Sequence, residues 1–275
     1  MEGGDEGLIQ RRKAIKDILL RERAVRVADL ARKFQVSEET IRRDLTHLEE
    51  EGLVKRNYGG AILAEELQVS MWTLPPVNQR KLHLFEEKDA IGKRAAELVK
   101  PGQSVIFDTG STTWCIAQHL RHLPDLTVVT NSLDIAESLG QQEHTSVFVL
   151  GGKLVSKSMG LVGPQIGVEL HKYNADIAFV GTSGISLAKG YTSSDIYEAE
   201  IKGAMVSAAR RIVVVADHSK FQRQGLLSFA AIDKVDVLVT SELADEDICG
   251  EIRRLGVEVH TCPVEGIATG LKAHR

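Results

Sequence analysis

Cysteine is scarce in these 275 residues: Cys115, Cys249 and Cys262 are scattered, with no CxxC pair, which excludes a disulfide framework. No apolar run approaches the ~18 residues needed to cross a bilayer. The stretch from Met1 to Ile18 is charged throughout and lacks the apolar core of a signal peptide, so a cytoplasmic protein is expected. Nucleotide loops are missing too, because the glycine near residue 110 is followed neither by the Gly-Lys-Ser/Thr ending of a P-loop nor by a GxGxxG pattern. What is present is ordinary for a globular chain, 43% hydrophobic and 26% charged. That length holds a sizeable core and favours two domains.

The net charge of −4 hides an asymmetry. Residues 11–60 carry 13 Lys/Arg against 9 Asp/Glu, whereas residues 61–275 sum to −5. A polyanionic partner would therefore dock at the N-terminal end.

That end reads as three short helices. Ile15, Ile18 and Leu19 recur at helical spacing, then Val27, Leu30, Ala31 and Phe34 at i, i+3, i+4 and i+7. Ser37 is a natural N-cap, with Glu38 and Glu39 in the first turn, where the helix dipole favours anions. The third helix buries Ile41, Leu45 and Leu48. It turns Ser37, Glu39, Thr40, Arg42, Arg43, Thr46 and His47 towards base edges and phosphates, as a recognition helix does. After Gly52, Leu53-Val54-Lys55-Arg56 and Asn57-Tyr58-Gly59-Gly60-Ala61-Ile62 read as a hairpin, or wing, with Lys55 and Arg56 on phosphates.

The run Ser37-Glu38-Glu39-Thr40-Ile41-Arg42-Arg43-Asp44-Leu45, with Leu48-Glu49 and Gly52-Leu53, strongly resembles the DeoR family of bacterial transcriptional regulators. Arg11, Ile15 and Leu19 keep the same frame. Asn57-Tyr58-Gly59-Gly60-Ala61 is similar to the family's His-Gly-Gly-Ala turn with a residue altered or inserted.

Residues 63–79, with Trp72 and Pro75-Pro76, read as an extended connector, Trp72 packing it against a domain. A helix then begins near Arg80 to Ala90 and runs to Pro101-Gly102. Beyond it, strand-like segments at 104–107, 126–130, 146–150, 176–180, 211–216, 235–240 and 257–260 alternate with helical patterns near 112–121, 132–139, 164–171, 196–209 and 245–254. Strands apolar on both faces imply a mainly parallel, doubly wound α/β domain. Ligands bind such sheets beyond the carboxyl ends of the strands. There the polar residues gather: Asp108, Thr109, Gly110, Ser111, Thr112 and Thr113; Thr130, Asn131 and Ser132; Gly151 and Gly152; Gly181; Asp217 and Lys220. A tight turn opening a helix suits a phosphate at Gly110 to Thr113 and Lys220, leaving Asp108, Asn131 and Asp217 for hydroxyls. His119 and His122 share a helix face but have no acidic or cysteine partner, so they read as solvated and neither metal nor cofactor is expected. Cys115 reads as core.

Gly110-Ser111-Thr112, Thr130-Asn131-Ser132, Gly151-Gly152 and Asp217-His218-Ser219-Lys220-Phe221 resemble the DeoR-family sensor domain, a relative of ribose-phosphate isomerases and sugar-phosphate deaminases. The resemblance implies a repressor of sugar or polyol catabolic genes that responds to a phosphorylated sugar. The alternative is an active isomerase or deaminase with a DNA-binding appendage. Aldose–ketose isomerisation needs a carboxylate base. Where the isomerases carry an Asp-Gly-Ala-Asp-Glu run, this chain has Gly181-Thr182-Ser183-Gly184, so binding without turnover is the expectation; Glu198 and Glu200 read as salt-bridging helix residues. The expected order is a winged helix-turn-helix at 8–62, a connector at 63–79, an α/β sensor at 80–262 and a tail at 263–275. A single winged helix buries too little surface for tight operator binding, so a homodimer or homotetramer on duplex DNA is expected.

Overall fold

The computed structural model describes residues 11, 12, 14, 15, 18, 19, 24–50, 54–57, 59–63 and 75–264. Residues 8–10, Gly52, Leu53, Tyr58, Trp72, most of the 63–79 connector and residues 265–275 of the tail lie outside the described residues, as does the Lys55 side chain. The chain divides into two compact units, residues 1–73 and 74–275.

In the first unit, residues 11, 12, 14, 15, 18 and 19 are helical, followed by β1 (Ala24–Arg26), α1 (Val27–Phe34), α2 (Glu38–Glu50), β2 (Val54–Asn57) and β3 (Gly60–Leu63). Ile15, Ile18, Leu19, Val27, Leu30, Ile41, Leu45 and Leu48 close one core, as their spacing predicts. Helix α1 stops at Gln35, whose left-handed conformation (φ 53°) lets Val36 N–H donate to Ala31 O at 3.1 Å. Ser37 Oγ then caps α2 by accepting from Thr40 N–H at 3.1 Å. The β2–β3 hairpin forms the wing, and β1, not foreseen in the sequence, pairs with β3 in a three-stranded antiparallel sheet. Gly60 is required there: a Cβ would stand 2.1 Å from Val25 O.

The second unit opens with α3 (Val77–Leu82) and α4 (Phe85–Ala96). The single helix expected from about residue 80 is broken at His83-Leu84, where Leu84 takes a left-handed conformation (φ 55°). The physical reason is a capping lysine: Lys88 Nζ reaches back to Arg80 O at 2.7 Å and His83 O at 2.6 Å, satisfying carbonyls at the end of α3. There follow β4 (Ser104–Phe107), α5 (Ser111–His119), β5 (Leu126–Thr130), α6 (Leu133–Gly140), β6 (Thr145–Val149), the hairpin β7 (Lys153–Val155) and β8 (Gly160–Val162), and α7 (Pro164–Leu170). Next come β9 (Ala175–Gly181), β10 (Gly184–Ser186), β11 (Gly190–Ser193), α8 (Ile196–Ser207), β12 (Ala209–Val215), β13 (Leu227–Ala230), β14 (Val237–Ser241), α9 (Glu246–Arg254) and β15 (Glu258–Cys262).

Seven strands form one parallel sheet in the order β15-β14-β12-β9-β4-β5-β6. Successive residues of β4 feed opposite cores: Ile106 packs with Leu170, Ile201 and Met205, while Val105 and Phe107 pack with Ile91, Ile116 and Leu139. The sheet is thus doubly wound, as expected. The sequence pattern did not reveal the small antiparallel sheet β10-β11-β13 or the β7–β8 hairpin. Successive strands are laid down outward from β4 through β5 to β6 on one side and from β9 through β12 and β14 to β15 on the other, so the order of winding reverses between β4 and β9 and the topological switch point lies at the loops after Phe107 and Gly181.

Candidate functional site

Helix α2 carries its charge outward. Arg43 is 80% exposed, with Glu39 3.7 Å away. Arg42 pairs with Glu38 at 3.0 Å one turn back. Thr46 Oγ1 donates to Arg42 O at 2.9 Å and accepts from Arg56 Nη1 at 2.7 Å, so the wing is fastened to the recognition helix. Arg56 N–H also donates to Glu49 Oε1 at 3.0 Å. Glu39, Thr40 and His47 lie on the same helix, which Ser37 precedes and caps, Ser37 and Thr40 being joined through their hydroxyls at 2.8 Å. Beneath this face sits Asp44, buried, taking Arg11 Nε at 2.6 Å and Arg12 Nε at 3.0 Å. Sequence reasoning used Asp44 only as part of a motif; its role as the anchor of the first helical segment depends on residues 32 and 33 positions away.

In the second unit, all the expected loops follow carboxyl ends of parallel strands, yet they do not all meet. Adjacent strands lie about 4.8 Å apart, so the ends of β6 and β12, four strands apart, are about 19 Å from one another, too far for one small ligand to touch both. Gly151-Gly152 opens the β7–β8 hairpin instead: a Cβ at Gly152 would stand 2.6 Å from Val162 O. That hairpin folds over the loops after β4 and β5. Thr109 Oγ1 donates to Ser158 O at 2.9 Å, and Asn131 Nδ2 donates to Leu161 O at 3.0 Å. Asn131 Oδ1 is buried without a hydrogen-bond partner in the structure. Thr130 Oγ1 donates to Phe107 O at 2.8 Å and Ser132 Oγ caps α6, so both act in building the loop. Ser111, Thr112 and Thr113 form the buried first turn of α5, whose N–H groups have no intrahelical acceptor.

The charged groups cluster at the switch point. Asp108 Oδ2 accepts from Gly181 N–H at 3.0 Å and is ion-paired with Lys202, a residue of α8 that also donates to Gly181 O at 3.1 Å. Asp217 is 1% exposed. Its Oδ1 accepts from Ser219 N–H at 3.0 Å, but Oδ2 has no hydrogen-bond partner, with Lys88 Nζ at 3.9 Å and Lys220 Nζ at 4.0 Å. Burial works to raise Asp217, but Lys220, Ser219 and Lys88 overcome it, so its carboxyl titrates below its ordinary range. Burial lowers Lys88, Lys220 and Arg80 and raises Glu198. Glu87 accepts from His218 N–H and pairs with His218 Nδ1, both at 2.7 Å, and accepts from Ser241 Oγ at 2.6 Å.

Residues 11–67 match the DeoR-like helix-turn-helix domain and residues 84–242 the DeoR C terminal sensor domain. The chain belongs to the DeoR family. It is 34% identical to the HTH-type transcriptional repressor GlcR of Bacillus subtilis strain 168, over 90% of this chain and 93% of that protein. It is 31% identical to the glycerol-3-phosphate regulon repressor of Escherichia coli strain K12, over 84% of this chain and 90% of the other. Among solved structures, ribose 5-phosphate isomerase A of Methanocaldococcus jannaschii overlaps 49% of this chain and 53% of its own at 22% identity, with a TM-score of 0.36.

Within this DeoR-family sensor, two sequence expectations need correcting. His119 is not simply solvated: its Nε2 hydrogen-bonds Asp89 Oδ1 at 2.8 Å, a carboxylate brought by α4. Neither Glu198 nor Glu200 makes a salt bridge among the described residues, and burial raises the Glu198 carboxyl against the opposing influence of Lys202. Among the described residues no group of three or more His, Cys, Asp or Glu is placed to hold a metal. Cys115 is buried and its thiol is pushed up to about 12, chiefly by burial, which leaves little thiolate for nucleophilic chemistry. Arg80, Glu87, Lys88 and Lys202 were not singled out in the sequence, and Glu198 was set aside as salt-bridging, because all lie on helices, where a charged side chain reads as a solvated face.

Proposed function

We propose that this transcriptional regulator is a repressor of sugar or polyol catabolic genes, released from its operator by a phosphorylated sugar or polyol. The cations around Asp217 carry the reading: the ammonium groups of Lys88 and Lys220 share its single carboxylate, and the surplus positive charge favours an anionic ligand. The phosphoryl group sits at Ser111 to Thr113 and Lys220, and Asp108, Asn131 and Asp217 take hydroxyls. Arg42, Arg43, Thr40 and His47 contact bases, and Lys55 and Arg56 contact phosphates, with the modules spanning about 8–62 and 80–262. The protein acts in the cytoplasm as a homodimer or homotetramer, since one winged helix reads too short a site.

The effector is bound without turnover. An isomerase needs a base poised to move a proton between adjacent carbons. An overnight incubation with sugar phosphates checks whether a carboxyl of the cluster plays this part: isomerised product would overturn the non-enzymatic assignment. For the regulator itself, genomic fragments retained by the protein are selected and sequenced with and without sugar phosphates. Enrichment of one motif upstream of sugar-catabolic genes, lost with one phosphorylated compound, is expected; no enriched motif would refute it.

A further inference from the structure

The two edges of the parallel sheet are finished differently. At one edge, β15 carries Glu258 and His260, paired with each other, and Glu258 also takes Arg211 Nη2 at 3.1 Å. Charges on an edge strand discourage another strand from adding to it. At the other edge, β6 reads Thr145-Ser146-Val147-Phe148-Val149, with neither charge nor proline. Phe148 is 51% exposed and Val149 45%. One hydrogen bond fixes which way its backbone faces. Leu150 N–H donates to Thr130 O at 2.8 Å, so the even-numbered residues of β6 turn their N–H and C=O groups to β5. Thr145, Val147 and Val149 turn theirs outward. Thr145 N–H is spent on Gln142 O at 3.2 Å, but its carbonyl and both backbone groups of Val147 and Val149 have no protein partner among the described residues.

Those outward groups are complementary to a second copy of themselves. An antiparallel pair centred on Val147 sets Val147 opposite Val147 and Val149 opposite Thr145, so each free N–H meets a free carbonyl. The same register sets Phe148 opposite Ser146, large against small, on the face that Phe148 shares with Val129. The ends are complementary in charge as well. Glu143 precedes β6 and Lys153 follows it, both exposed, and antiparallel pairing brings the Glu143 end of each strand to the Lys153 end of the other. A two-fold axis relates the copies, so the contact closes at two chains instead of running on into a filament. We propose that β6 is the surface through which two copies of this chain join, edge to edge and antiparallel, in one continuous sheet. This rests on the homodimer reading above and names its contact surface.

The test uses the full chain, by sedimentation equilibrium and amide hydrogen exchange over a range of concentrations. A dimer is expected whose Val147 and Val149 amides become protected as it forms, while the Phe148 amide, bonded within the sheet, is protected in monomer and dimer alike. Val149→Pro removes an outward donor and no bond to β5, so it should raise the dimer dissociation constant about tenfold or more, two hydrogen bonds being lost across the two-fold axis. Glu143→Lys and Lys153→Glu should each weaken association about two- to fivefold, as an exposed ion pair does, and the double variant should restore it. Recovery of that kind cannot come from damage to the fold. A dimer whose Val147 and Val149 amides exchange as fast as exposed ones, and which Val149→Pro leaves intact, overturns the β6 surface while the homodimer reading stands. Protected amides with no recovery in the double variant overturn the antiparallel direction. A monomer at every concentration overturns both the surface and the reading beneath it.

Discussion

The winged helix and the α/β sensor handle charge in opposite ways. On α2, Arg42 and Arg43 stand in water beside glutamates one turn away, where ion pairs are weak and easily exchanged for a phosphate. In the sensor, Lys88 (3% exposed) and Asp217 have been taken out of water, which costs several kcal/mol per ion unless partners compensate. An exposed charge therefore says little until a partner is present, whereas two cations sharing one buried carboxylate leave a local excess of positive charge that suits an anion. Asp44 shows the compensated case: it is equally buried but closed by two guanidinium groups, so it holds structure together.

The comparison is sharpened most by breaking each unit's closed ion pair. Asp44→Asn should destabilise the N-terminal unit by about 3 kcal/mol or more, and Lys202→Met, which strands the buried Asp108 charge, should do the same to the sensor. Differential scanning calorimetry would show the affected transition moving in each case; a shift below 1 °C in both would mean that burial has been overvalued. Next in size, Arg43→Ala should lower specific DNA affinity by about 1–3 kcal/mol. Because its ion-pair partner among the described residues, Glu39, is 3.7 Å away on an exposed surface, folding stability should change by less than about 0.5 kcal/mol. Lost stability with unchanged DNA affinity would invert the assignment. Affinity for DNA should also fall with salt at a slope near −0.9 per phosphate contact, and a flat line would contradict the basic face.

The smallest expected effect is one of pH. The hydrogen bond to Glu87 raises His218 above its ordinary 6.5. A raised folded-state value means the pair's stabilisation is fully present below about 6.5 and is lost as pH climbs through the folded value. Urea midpoints measured from pH 6 to 8 should fall more for the wild type than for His218→Gln; parallel curves would remove His218 from the account.

How much of this the sequence disclosed follows the same division. The recognition helix was legible because capping by Ser37 and the Ile41-Leu45-Leu48 stripe are local signals, read within a few residues. The inner parallel strands were legible for a related reason: burial on both faces makes each a short apolar run, whereas the edge strands β6 and β15, largely exposed or half-buried, were legible through their place in the alternation of strands and helices. Strands β1, β10 and β13 were not, being three or four residues long and stabilised by pairing with distant partners. The loop residues of the rim announced themselves through Gly, Ser, Thr and Asp at strand ends. Arg80, Lys88 and Glu198 did not, because converging on Asp108 and Asp217 requires a fold that joins residues far apart in sequence.

The central claim is that one ligand, bound among the sensor's buried charges, changes the hold of the exposed arginines on DNA. The most direct test is fluorescence anisotropy of the full chain on its selected DNA motif at fixed salt, titrated with a phosphorylated sugar that stabilises the protein and with the same sugar unphosphorylated. The account predicts that DNA affinity falls only with the phosphorylated compound, and that Lys220→Met blunts the fall without altering affinity in its absence. An affinity that stays the same at saturating sugar phosphate would contradict it.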